Sequence, residues 1–216
     1  MLVPHLTPGE SGIILFADIF ELQQYRMFLQ DVIQANMEEV FIPLSAMILG
    51  RIEEAMSESP AYSEDLVIAD QVYKLKGFYL SHIEWLIALR NLRQITEPES
   101  ADPFYLSLLL RIESVFNGAW IDMYGANVKA IQDAMTFIEA AQDKHLSSVI
   151  DTRIAYLLML PANKRKNNLK ALLLSLHQDY NDFYAQLSSK GKGQNLINPE
   201  AFTSISLSEI PADISL

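Results

Sequence analysis

Apolar residues three and four positions apart recur through most of this 216-residue chain. In a helix such spacing gathers side chains into a stripe, and a chain carrying several stripes has to bury them against one another. The first series is Phe16, Phe20, Phe28, Val32, Val40, Phe41, Leu44, Ile48, Ile52 and Met56. It predicts one long helix or two in line, with a break between Asn36 and Pro43, because proline removes a backbone donor. After SESPAY, Ser63 reads as an N-cap with Glu64 and Asp65 in the first turn. The spacing then predicts a second helix to about Arg93. Its apolar residues, among them Leu66, Val72, Tyr73, Leu80, Ile83 and Leu86, cover most of the circumference and predict a central position in the fold.

Asp102 and Pro103 pair an N-cap with proline at the first helical position. Tyr105, Leu109, Ile112, Phe116, Trp120 and Met123 follow, and Gly125 is the expected terminator. A fourth series runs from Val128 to Leu160 and stops at Pro161. The last, from Asn163 to Ser188, carries Leu169, Leu172, Leu176, Tyr180, Phe183 and Leu187 on a narrow seam. Together these series predict an all-α fold, an antiparallel bundle of five or more long helices. Residues 1–190 are expected to form a single helical-bundle domain. KGKGQN then reads as a hinge to a flexible C-terminal tail, 191–216, in which SISLSEI supplies at most a short C-terminal strand.

Composition narrows function by exclusion. Half of the residues are hydrophobic and a fifth are charged, which is the composition of a folding chain. The absence of cysteine removes disulfides, thiolate nucleophiles and cysteine–zinc sites. The net charge of −11 is concentrated in residues 1–108, where 6 Lys and Arg face 16 Asp and Glu. Such a surface repels phosphate, so nucleic acid is not an expected partner. The one basic run, Lys164, Arg165, Lys166 and Lys170, reads as the solvated first turn of a helix. No Lys or Arg precedes GIILF, and no apolar run reaches the ~18 residues of a membrane span. The expected location is therefore cytoplasmic, with no stable membrane span.

No catalytic or metal set emerges. The residues three before His82 and His145 are Tyr79 and Gln142 rather than carboxylates, and Asp179 lies two from His177 rather than three or four. Neither a metal nor a cofactor is expected. Glu38, Glu39, Glu53 and Glu54 lack the matching acids on a second helix that magnesium chemistry would need, and read as a solvated face. Phosphate-binding and nucleophile-elbow motifs do not occur. VYKLKG, Val72 to Gly77, resembles the phosphoacceptor segment of histidine-phosphotransfer helices, but Tyr73 stands where that family has its histidine.

Two functions follow. The leading one is a protein-interaction module, an adaptor, chaperone or regulatory subunit that binds another polypeptide or self-associates. In it Glu38, Glu39, Glu53 and Glu54 form an acidic recognition face for a basic partner. The alternative is a small-molecule-binding bundle, a sensor or enzyme, whose apolar interhelical pocket is lined by Tyr79, His82, Trp85, Trp120, Tyr124 and His145.

Overall fold

A computed structural model describes residues 1–35, 42–96, 102–125, 128–129, 133, 138 and 143–205. Most of the described residues are helical, but they also include a four-stranded antiparallel sheet curled into a half-barrel, so the all-α expectation is overturned. The described elements are β1 (Leu2–Leu6), β2 (Gly12–Ala17), α1 (Ile19–Ala35), α2 (Ile42–Met56), β3 (Tyr62–Ile68), β4 (Gln71–Ser81), α3 (His82–Ile95) and α4 (Pro103–Tyr124). They continue with α5 (Asp143–Met159), α6 (Ala162–Leu174) and α7 (Tyr180–Ser189), and two short 3-10 turns at Gly193–Asn195 and Pro199–Phe202. The chain divides into two units. One comprises Met1–Leu6, Ile13–Leu80 and Ala88–Met123, and the other Thr7–Gly12, Ser81–Ile87 and Tyr124–Leu216.

The sheet, all but Gly12 and Ser81 at the ends of β2 and β4, belongs to the first unit and has the order β1-β2-β4-β3, which leaves β1 and β3 at its edges. β1 pairs with β2 from Leu2 opposite Ala17 to Leu6 opposite Ile13. β3 pairs with β4 from Tyr62 opposite Gly77 to Ile68 opposite Gln71. One face carries Ile13, Leu15, Ala17, Phe78 and Leu80, all buried. The other face is the concave one. In a flat sheet the two edges would stand about 14 Å apart, three strand spacings, yet Nδ1 of His5 on β1 lies 3.4 Å from Oε2 of Glu64 on β3. Curling is possible because Gly77 has no side chain: a Cβ there would sit 2.9 Å from the Phe16 ring, which occupies that space and meets His5 at 5.1 Å between ring centroids.

The helices of this unit bury the stripes that the sequence spacing identifies. Leu22, Phe28 and Leu29 of α1 and Leu108, Leu109, Ile112 and Phe116 of α4 are all buried. α1 and α4 run antiparallel, since Glu21 pairs with Arg111 at 2.5 Å, Tyr25 donates to the Leu108 carbonyl at 3.1 Å, and Tyr105 donates to Asp31. Asp102 accepts from the Phe104 N–H at 2.8 Å and so caps α4 as its sequence indicates, and Gly125 follows the helix with φ +54°. The break expected between Asn36 and Pro43 falls largely on residues outside the described set; α1 ends before it and α2 begins at Ile42.

The helix expected from Ser63 to Arg93 is instead β3, β4 and α3. Val67, Ile68, Val72, Tyr73, Phe78 and Tyr79 are β-branched or aromatic residues that pack well on a pleated surface and lose rotamer freedom in a helix. VYKLKG therefore lies in a strand, and its likeness to a phosphoacceptor helix has no structural counterpart. Ser81 and Glu84 form the capping box that starts α3: the Ser81 N–H donates to Glu84 at 2.6 Å, and the Glu84 N–H to the Ser81 hydroxyl at 3.2 Å.

In the second unit α5 and α6 cap each other. Arg165, in the first turn of α6, is 4% exposed rather than solvated as its basic neighbours suggest. Its guanidinium donates to the carbonyls of Leu158 at 2.8 Å and Leu160 at 3.0 Å at the end of α5, and to that of Gly9 at 2.9 Å. In return Arg153 of α5 donates to the Ser175 carbonyl at 3.3 Å, just past the end of α6, and His145 donates to the Leu176 carbonyl. Each cation sits where the helix dipole and orphan carbonyls are negative, which accounts for two buried arginines held by carbonyls. Burial holds the Arg153 pKa down to about 10. Its guanidinium also lies 3.8 Å from the Phe202 ring centroid. Tyr180 both donates to the Ile197 carbonyl at 2.7 Å and accepts from the Ile197 N–H at 2.9 Å, so Ile197 and Phe202 are buried within this unit. SISLSEI lies mostly outside the described residues.

Candidate interaction surface

Four large apolar side chains at the end of the β3–β4 hairpin face solvent. Val67 is 63% exposed, Val72 60%, Ile68 45% and Tyr73 41%. Val67 stands opposite Val72 on one face, while Ile68 and Tyr73 belong to the other. The hairpin end is therefore apolar on both sides, unlike a surface strand with one buried and one polar face. Its base is anchored by Leu75, which is buried, and by Lys76, whose ammonium donates to the carbonyls of Met56 and Ser57 at the end of α2.

The turn that closes the hairpin is Ala69–Asp70, with φ of +49° and +62°. Two positive φ values between paired Ile68 and Gln71 define a two-residue turn of the mirror-image type, which matches strand twist and ordinarily selects Asn-Gly. Alanine in the left-handed region costs about 1–2 kcal/mol. Replacing Ala69→Asn together with Asp70→Gly should accordingly raise stability by about 1 kcal/mol, or roughly 2–4 °C in melting midpoint for a chain of this size. Melting curves of the double variant provide the check. An unchanged or lower midpoint would show that the turn is not held in this conformation.

The six aromatic and histidine residues expected to line one pocket are divided between the units. Tyr79, half-buried on β4, and Trp120, buried on α4 against Phe116 at 5.9 Å between centroids, lie in the first. His82 and Trp85 in the first turn of α3, Tyr124 and His145 lie in the second. Tyr124 donates to the Lys166 carbonyl at 3.3 Å, and burial raises its pKa. The His145 pKa is lowered by burial and by the charge of Arg153, against the opposing effect of its bond to Leu176. Of the acidic quartet, Glu53 and Glu54 are exposed on α2, with Glu54 3.5 Å from Arg51, while Glu38 and Glu39 lie outside the described residues.

His82 is 1% exposed, and burial drives its pKa from 6.5 down to about 4. The unfolded chain therefore takes up this proton near pH 6.5 while the folded chain resists it until about pH 4. His82 leaves stability untouched above pH 6.5, reduces it progressively as pH falls through this window, and reduces it no further below the folded value. The full effect is about 3 kcal/mol, at 1.36 kcal/mol per pKa unit. Urea titrations between pH 7 and 4.5 should show a shallower pH dependence for His82→Gln than for the unmodified protein, the carboxylates being common to both. Parallel curves would contradict a neutral buried His82.

Among the described residues no three His, Asp or Glu side chains group to hold a metal ion, and no helix is long and apolar enough to cross a membrane. Comparison with protein-family models, with curated proteins and with solved structures gives no match. The hairpin carries residues that the sequence reading placed inside a helix. The signal that would have found them is the β-branched and aromatic content on both sides of Ala69 and Asp70.

Proposed function

We propose that this chain is a protein-interaction module that presents the β3–β4 hairpin to another polypeptide. The observation that carries this reading is the cluster of Val67, Ile68, Val72 and Tyr73, 41–63% exposed on both faces of a hairpin whose base is anchored. Contiguous exposed apolar surface of this kind marks interaction sites. A small molecule is bound by enclosure, and side chains this exposed enclose nothing. Lipid is disfavoured by Asp70 at the tip itself and by Glu64 and Asp65 beside it, since carboxylates resist both desolvation and an anionic headgroup layer. The excess of acid over base in residues 1–108 supports a partner of basic character.

The test is photocrosslinking in living cells with benzoylphenylalanine placed at Val72, or at the exposed Lys190 as a control. The expected result is one discrete adduct to a different protein at position 72 and none at position 190. Absence of a position-specific adduct, or an adduct only to a second copy of this chain, would overturn the reading.

A further inference from the structure

We infer that the partner docks by adding a strand to the free edge of β3, and that the added segment is extended, basic at mid-strand and apolar toward the hairpin tip. This rests on the reading of the hairpin as the interaction surface. In the strand order β1-β2-β4-β3, β3 hydrogen-bonds to β4 along one side only, over all seven of its residues. Among the described residues no backbone hydrogen bond from Tyr62–Ile68 leads anywhere else. An edge strand of this length presents a row of backbone donors and acceptors to an incoming strand, and recognition by strand addition draws affinity from that row and specificity from the side chains beside it.

Those side chains select the occupant. At mid-strand stand Glu64, 34% exposed and 3.4 Å from Nδ1 of His5 on β1, and Asp65, exposed, with Val67 and Ile68 following toward the tip. A second copy is a poor occupant. In the centred antiparallel self-pairing, with Tyr62 opposite Ile68, Asp65 would face its own counterpart, and like charges directly opposite are destabilising. Lysine or arginine opposite Glu64 and Asp65, with a β-branched or aromatic residue opposite Val67, satisfies both the charge and the apolar surface. The same two carboxylates thus act as a filter, resisting acidic strands and the protein's own edge while admitting a basic one.

Three synthetic peptides with the same alternating valine and threonine residues form the probe: one with lysines at mid-strand, one with glutamates there, and one with lysines plus a central N-methylated residue that cannot donate to the ladder. Binding is read by fluorescence anisotropy at low and physiological salt, and the site by amide hydrogen exchange. The lysine peptide should bind at least ten-fold more tightly than the glutamate peptide, weaken with salt, and slow exchange within Tyr62–Ile68. N-methylation should abolish binding, and Glu64→Lys with Asp65→Lys should reverse the preference. Equal affinity for the lysine and glutamate peptides, tolerance of N-methylation, or protection confined to other segments would each overturn strand addition. Failure here with the Val72 adduct still formed would reject the docking mode alone, whereas loss of that adduct rejects the surface itself.

Discussion

Leu176→Asp should abolish folding of the second unit, a larger effect than that of any other single substitution. Leu176 is 0% exposed and follows Leu169, Leu172 and Leu173, also 0% exposed. The substitution removes a core leucine, which alone costs about 2–5 kcal/mol, and puts a carboxylate in a fully buried apolar position. Such a sum approaches the whole stability of a typical domain. The two tryptophans give each unit a reporter, Trp85 in the second and Trp120 in the first. In a Trp120→Phe background, the emission of Trp85 should show the unfolded wavelength for Leu176→Asp without denaturant. The exposed change Lys190→Asp should stay within about 0.5 kcal/mol of the parent. Equal and small effects for both would mean that this segment does not pack.

The second large effect is that of Arg165→Met, which should destabilise the same unit by at least ~3 kcal/mol. Three carbonyls, of Gly9, Leu158 and Leu160, accept from this one buried guanidinium. Methionine fills much of the volume but leaves those oxygens without a donor, at about 1–3 kcal/mol for each that water cannot reach. Arg165→Lys should recover only part of the loss, because a single ammonium cannot reproduce the planar fork that spans three acceptors. Lys164→Met, one position earlier and exposed, should be nearly silent. Trp85 emission in urea titrations measures all three. Indistinguishable midpoints for Arg165→Met and Lys164→Met would remove the reciprocal capping of α5 and α6 from the account.

Helices were legible wherever a stripe is buried on one side and a terminus carries its own chemistry. Asp102 and Pro103 open α4 and Gly125 follows it, while Leu169, Leu172, Leu176 and Tyr180 are buried as their spacing implies. Phe183, the next member of that seam, is 45% exposed, because the helix stops after Leu174 and α7 begins afresh at Tyr180. The strands were not legible, for a specific reason. Alternation of apolar and polar residues arises only where one face of a strand is wet and the other buried. β2 is buried on both faces, so GIILFA reads as a continuous apolar run, and the end of the β3–β4 hairpin is exposed on both, so DLVIADQVY shows no alternation. The Ala69–Asp70 turn lacks the glycine that would have flagged it. Two local signals were nevertheless present: Pro8-Gly9 between the apolar runs of β1 and β2, and Ser81-x-x-Glu84 at the true start of a helix.

The candidate surface was hidden for the same reason. An exposed valine inside an assumed helix looks like one more core position, and only the pairing of Val67 with Val72 reveals that both stand free. The acidic character of residues 1–108 was visible throughout, but the placement of Glu64 and Asp65 on the edge of a sheet was not.

The most direct measurement is the dissociation constant between this protein and the purified polypeptide captured at Val72, compared with that of the Val67→Ser, Val72→Ser double variant. Both positions are 60% or more exposed, so the melting temperature should be unaltered within ~2 °C. Burying the two valines against a partner should contribute more than the ~1.4 kcal/mol that equals a factor of ten in affinity. The double variant should bind at least ten-fold more weakly at unchanged stability, and equal affinity for the two proteins would contradict the hairpin as the interaction surface.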